Sequence, residues 1–308
     1  MHPAPSIIVF TVLSGLGYGL AVMLGLDLLD ADSSAARIGH VLALLLIGFG
    51  LTSSLLHLGN PQRAWRALSQ WRSSWLSREG VLAILTFAPL LAGAWFSLFE
   101  GVYRAPVGIL SVAGSLATVY CTSMIYASLR SVDGWNTPLT SLCYLLFSLA
   151  GGAGLASALA SGAALGAAGE LAWVAMAFVA IAWLAKIAWR RRLKSIVRRS
   201  TPETATGLGK LGRVRLFEPP HMTASYLTHE MGFKVARKHA DKLFVLSIII
   251  GGGLPIILFG LVAMGAANGN AATAVSLIAA ISYLSGVFVE RWLFFAEARH
   301  AVMSFYGS

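Results

Sequence analysis

The sequence predicts an all-α integral membrane protein, a bundle of eight transmembrane helices with an interfacial helix between the second and third. Three observations carry that class. Hydrophobic residues fill 57% of 308 positions and charged residues only 12%, about half the roughly 25% charged of a soluble domain. Mean hydropathy is +0.73. The apolar residues fall in runs of roughly 20, enough at about 1.5 Å per residue to cross some 30 Å of hydrocarbon, and they lack the period-two alternation of barrel strands.

Taken in order, the spans are expected at 6–26, 37–56, 80–99, 106–128, 138–160, 168–188, 243–264 and 271–290. The first ends at the acidic turn of Asp27, Asp30 and Asp32, and the start MHPAPSIIVF lacks a basic n-region or twin-Arg pair, so the first helix is expected to be retained. Arg37 and His57 flank the second; Glu100 and Arg104 separate the third from the fourth. Gly151, Gly152 and Gly154 interrupt the fifth, which membrane helices tolerate. Pro255, preceded by Gly251 to Gly253, is expected to bend the seventh. The chain reads as one transmembrane domain, 1–308, with a long basic loop at 190–242 inside it. An even number of spans puts both termini on one face.

Charge sets the orientation. Of 23 Lys and Arg, 21 fall on the face of the termini and even-numbered loops, against Arg37 and Arg104 on the other. By the positive-inside rule the rich face is expected to be cytoplasmic, with both termini there. The run WRRRLKSIVRR, Trp189 to Arg199, reads as an anchor on anionic lipid. A docking surface for a protein partner, drawing on Arg66, Arg72, Arg78, Arg190, Arg191 and Arg192, stands beside that reading, while nucleic acid is set aside.

Cofactor chemistry is bounded by what is scarce. Cys121 and Cys143 lie within spans, so the chain builds no four-cysteine cluster and no disulfide framework. His221, His229 and His239 are spaced by eight and ten residues, which puts no pair on one helical turn, and no metal site is assigned. His40 and His57 lie on one helix about 25 Å apart at 1.5 Å per residue and cannot share a haem, while His300, which could sit at the depth of His57, leaves a haem open as the minor reading. Ionisable groups away from the span ends are expected to be few, which counts against a pump or ion-coupled carrier.

The chemistry gathers in HLGNPQRAWRALSQWRSSWLSREG, His57 to Gly80. Trp65, Leu68, Trp71 and Trp75 recur at spacings of three, three and four, with Arg63, Arg66, Gln70 and Ser73 on the other side, the pattern of an amphipathic helix lying in the interface. His57 falls at the end of helix two and Glu79 at the start of helix three, where helix dipoles favour an imidazolium and a carboxylate. Both then lie at one membrane face, at the depth of a lipid-soluble quinone head, which needs a proton-exchanging group near its oxygens. A structural His with a cap-like Glu is the alternative at this stage.

The motifs HLGNPQRAWRA and LSREG, the eight spans and the ending ERWLFFAEARH resemble the membrane anchor subunit of dimethyl sulfoxide reductase-type molybdoenzymes, relatives of the polysulfide reductase membrane subunit. The likeness covers essentially the whole chain. It implies a place in the bacterial inner membrane, quinone binding (ubiquinone or menaquinone) at His57, Arg63 and Glu79, to which Trp65 and Gly59 are added as expected site residues, and no haem in this subunit. It also implies two partners, a four-cluster ferredoxin-like iron–sulfur subunit and a molybdopterin catalytic subunit, which hold the clusters and the molybdenum. With the His-bearing loop placed in the cytoplasm, the chain looks like the membrane subunit of cytoplasmic sulfite dehydrogenase, passing electrons from sulfite oxidation to quinone. Two alternatives remain at this point: a quinol-oxidising anchor of a dimethyl sulfoxide or similar reductase, and a secondary transporter, which should show related halves and broken helices at the midplane.

Overall fold

In the computed structural model the described residues are 4–57, 60–196, 201–215, 217–218 and 235–301, with the side chains of 57 and 235–238 outside the description. Eight helices among them are long and apolar enough to cross a membrane: α1 Pro5–Gly25, α2 Ser34–Leu56, α3 Trp75–Glu100, α4 Ala105–Ala127, α5 Pro138–Gly162, α6 Ala168–Ser195, α7 His239–Ala263 and α8 Asn270–Ala296. No strand occurs among the described residues. The expected fold class is the observed one. Both described ends of the chain lie on one face, together with the connections α2–α3, α4–α5 and α6–α7; we call this the basic face.

Helix α1 is the most enclosed element and packs against α2, α4 and α5, while α5 also carries α6 and α8. Close backbone approach makes that centre possible. A Cβ on Gly19 would collide with the Ser148 carbonyl of α5, and one on Gly152 with the Gly19 backbone. Small residues at such crossings let helices gain dispersion contacts that lipid cannot outbid. Gly152→Leu should therefore lower the unfolding temperature in detergent and the yield of monodisperse protein, by at least the roughly 1–3 kcal/mol of an overpacked core. Unchanged melting would contradict the contact.

Three element ends differ from the expected spans. Helix α3 begins at Trp75 instead of residue 80, α6 runs to Ser195 beyond 188, and α8 runs to Ala296 beyond 290. In α6 and α8 charged residues expected to mark a span end lie on continuing helix and pair within the bundle, whereas α3 begins earlier at its Ser74 cap. The bend expected at Pro255 has an identifiable form, a π-turn over Ile249–Gly253. Proline cannot donate to the carbonyl four residues earlier; that carbonyl, of Gly251, instead accepts from Trp183 Nε1 at 2.7 Å.

Candidate functional site

The segment between α2 and α3 is built from short-range sterics. Helix α2 closes in a 3₁₀ turn, Ser54–His57, and a 3₁₀ helix follows over Pro61–Gln70. The interfacial helix expected here is present, but of tighter winding. Three residues per turn stack positions i and i+3, so the three-residue spacing of Trp65, Leu68 and Trp71 suits this helix better than an α-helix. Leu68 approaches α3 at Gly80, leaving no room for a β-carbon there, whereas Trp65 and Trp71 stay 66% and 54% exposed.

The first turn of α3 clamps this helix in place. Ser74 caps α3 by accepting from the Ser77 backbone N–H, and the Ser77 hydroxyl donates to the Ala67 carbonyl of the interfacial helix. Arg78 donates to the carbonyls of Trp71 at 3.0 Å and Arg72 at 2.7 Å, and its guanidinium lies 4.3 Å over the Trp75 ring. Arg66 and Arg72 lie beside the rings of Trp65 and Trp71, at 5.6 and 5.4 Å. A partly exposed guanidinium over indole contributes roughly 0.5–1 kcal/mol, so the basic and aromatic residues of this segment support one another.

Glu79 points inward. Only 4% of it is exposed, and it accepts a hydrogen bond from the Thr122 hydroxyl of α4. Its electrostatic neighbours are Tyr18 of α1 and Cys121 and Tyr126 of α4. A threonine ladder continues from it along α4: Thr122 also donates to the Thr118 carbonyl, and the Thr118 hydroxyl lies 3.3 Å from that of Thr86 on α3. The helix-capping position expected for Glu79 belongs to Ser74. The carboxyl is instead an intramembrane acid without an ion-pair partner among the described residues, and such groups in membrane proteins commonly serve ion or proton chemistry.

The other expected site residues divide clearly. Arg63 and Trp65 are exposed on the interfacial helix, so the structure sets them at the surface and Glu79 beneath it. The backbone of His57 ends α2 on the same face; its side chain, and all of Gly59, lie outside the described residues. Arg66, Arg72 and Arg191 are exposed. Arg78 is half-buried in its clamp, and Arg192 donates to the carbonyls of Asp133 and Asn136 at 3.0 and 3.2 Å. Arg190, expected on a docking face, is buried and pairs with Glu297 at 2.8 Å and Asp241 at 3.2 Å. Of the loop histidines, His221 and His229 fall outside the described residues, and His239 is exposed at the start of α7.

Charged residues at the expected span ends of α6 and α8 are buried inside the bundle. Lys186 of α6 lies 2.6 Å from Glu290 of α8 with both side chains almost wholly buried, and Arg291 approaches the other Glu290 oxygen at 3.4 Å. The ammonium of Lys186 lies 3.6 Å over Trp189, and the Arg291 guanidinium 3.9 Å over Tyr144. Arg190, Glu297, Asp241 and Lys194 carry the ladder outward to the basic face, where Lys194 meets Asp241 at 2.7 Å. The signal was in the sequence. Lys186, Arg190 and Lys194 recur every four residues on one face of α6, and Glu290 and Glu297 stand seven apart on one face of α8.

Comparison with known proteins adds to this geometry. The family described as "DMSO reductase anchor subunit (DmsC)" matches residues 1–297. Over its full length the chain is 31% identical to the C subunit of sulfite dehydrogenase from Allochromatium vinosum, covering 99% of that protein. It is 28% identical to the YnfH chain of an anaerobic dimethyl sulfoxide reductase of Escherichia coli, over half of the chain and 56% of that protein. It is 29% identical to the C-type chain of the anaerobic dimethyl sulfoxide reductase of Haemophilus influenzae, over half of the chain and 57% of that protein.

Proposed function

Because the chain belongs to the DMSO reductase anchor-subunit family, we propose that it anchors an iron–sulfur and molybdopterin subunit pair on the cytoplasmic face of the inner membrane and hands their electrons to a quinone. The full-length likeness to a sulfite dehydrogenase subunit supports sulfite as the electron source. The excess of Lys and Arg on the basic face supports its cytoplasmic placement.

The observation that carries the quinone reading is Glu79, a membrane-buried carboxyl held by Thr122 and roofed by a clamped helix of exposed Trp and Arg. The donor set fits a quinone: uncovered indole faces for a flat ring, Arg63 at the surface for a carbonyl oxygen, and an acid beneath that can move a proton. A bound quinone supplies the two-electron, two-proton couple. Toward a bound quinone Trp65 would wall the ring, His57 would hydrogen-bond and exchange a proton, Arg63 would polarise an oxygen and Glu79 would accept protons and pass them on, with Gly59 in the same motif as His57. Arg66, Arg72 and Arg191 face water and offer the docking charge.

Glu79→Gln keeps the shape and the Thr122 contact but cannot carry a proton as a carboxyl does. Removing a group that transfers protons in the rate-limiting region costs about 10²-fold or more. The purified complex should lose that much quinone-linked sulfite oxidation while dye-linked oxidation stays intact. Full quinone activity in this variant would overturn the role of Glu79.

A further inference from the structure

Glu79 must exchange protons with water if the proposed function holds, yet its burial closes the direct way. Its partner Thr122 also lines a small cavity of about 20 Å³, room for a single water molecule, between α1, α4, α5 and α8. Thr11, Ser14, Ser148, Tyr144 and Arg291 supply polar groups to the wall. The Tyr144 side chain is buried, with Arg291 as its polar neighbour. A polar cavity with room for water fills with it, whereas a wholly apolar one stays dry.

One wall of the cavity is Arg291, where the charged ladder begins. Arg291 binds Glu290, Glu290 binds Lys186, and further toward the basic face Arg190 binds Glu297 and the exposed Asp241. The cavity therefore touches Glu79 through Thr122 on one side and a train of buried charges leading to the surface on the other.

We propose that this cavity is a hydrated proton-transfer chamber, connecting Glu79 through Thr122 and Tyr144 with the Arg291–Glu290–Lys186 cluster and thence with cytoplasmic water at Glu297. The inference rests on the proposed function only for the destination of the proton. Burial pushes the Glu297 carboxyl up from its ordinary range, against the pull of Arg190, which suits a group at the mouth that takes up and releases protons. Each hop breaks one O–H bond on the donor as it forms one on the acceptor, and the hydroxyls and water then turn back before the next proton enters, while the Arg291 guanidinium keeps its protons throughout. The electrons arrive separately, from the reduced iron–sulfur partner.

Gly15 offers a way to close the chamber, because it lines the wall and a β-carbon there meets nothing within 4 Å. The test follows hydrogen–deuterium exchange of the Glu79 carboxyl by its infrared C=O band, in the full chain in lipid nanodiscs, at a pH low enough to protonate it. Glu79→Gln assigns the band. Gly15→Leu, which fills the space, should slow the exchange at least about ten-fold, and Tyr144→Phe should slow it less. Gly15→Ala, which leaves room for water, should keep the wild-type rate and shows that the helix tolerates a side chain there. Wild-type exchange in both Gly15→Leu and Tyr144→Phe would overturn the chamber. No quinone enters this measurement, so the chamber and the quinone site stand or fall separately.

Discussion

His57→Ala is expected to abolish electron transfer to quinone, by about 10²-fold or more, while dye-linked oxidation by the attached subunits continues unchanged. The histidine ends α2 on the basic face, beside the start of the interfacial helix and on the same face as the first turns of α3. Imidazole is the side chain whose ordinary pKa lies nearest neutrality, so it can both donate to and take a proton from a carbonyl oxygen as the acceptor is reduced. General acid–base groups contribute roughly 10²–10⁴ in rate. The molybdenum and cluster chemistry belongs to other subunits in the proposed complex, which is why the dye assay separates a lost quinone site from a lost complex. His57→Gln, which keeps a hydrogen bond but not the proton exchange, should recover binding of a quinone-site inhibitor without recovering turnover. Unchanged quinone reduction in His57→Ala would remove the residue from the site.

The second large effect is on stability. Glu290 is the shared counter-ion of Lys186 and Arg291, at 2.6 and 3.4 Å, and is fully buried. Breaking a buried pair by removing one partner typically costs about 3–5 kcal/mol, since the charge left behind has neither water nor a mate. Glu290→Gln leaves two such cations in the membrane interior and should fall at or above that range, with little monodisperse protein recovered. Lys186→Met leaves the Glu290–Arg291 pair intact and fills the space with an apolar chain, so its loss should be clearly smaller. Fluorescence-detected size exclusion with thermal challenge measures both. Equal losses, or a stable Glu290→Gln, would show that the carboxylate is not the common anchor.

These two residues illustrate how unevenly the site could be read. His57 drew notice because a lone imidazole at a span end, next to a Trp-rich basic stretch, is a chemical signal visible in one dimension. Glu290 sat in a charged ending and looked like a span boundary. What moved it inside was Lys186, 104 positions away, and no window along the chain brings those two together. Glu79 falls between these cases: its residue type and depth were legible, but its direction was not. One helical turn decides whether a carboxyl faces the interface or α4, and the capping of α3 by Ser74 started the helix a turn earlier than the hydropathy suggested.

By itself the sequence determined the class, the eight spans, the charge asymmetry and the amphipathic segment, because length, hydropathy and local spacing are properties of consecutive residues and the bilayer acts on each span separately. The tertiary structure alone decided which charges are buried and what balances them. It turned Arg190 from a candidate docking charge into a partner of Glu297 and Asp241, put Glu79 under Thr122, and opened a polar cavity between four helices. The physical reason is the low dielectric of the membrane interior. There a charge is tolerated only where a distant segment supplies its opposite, so the position of every buried ion is fixed by the packing of helices rather than by the order of residues.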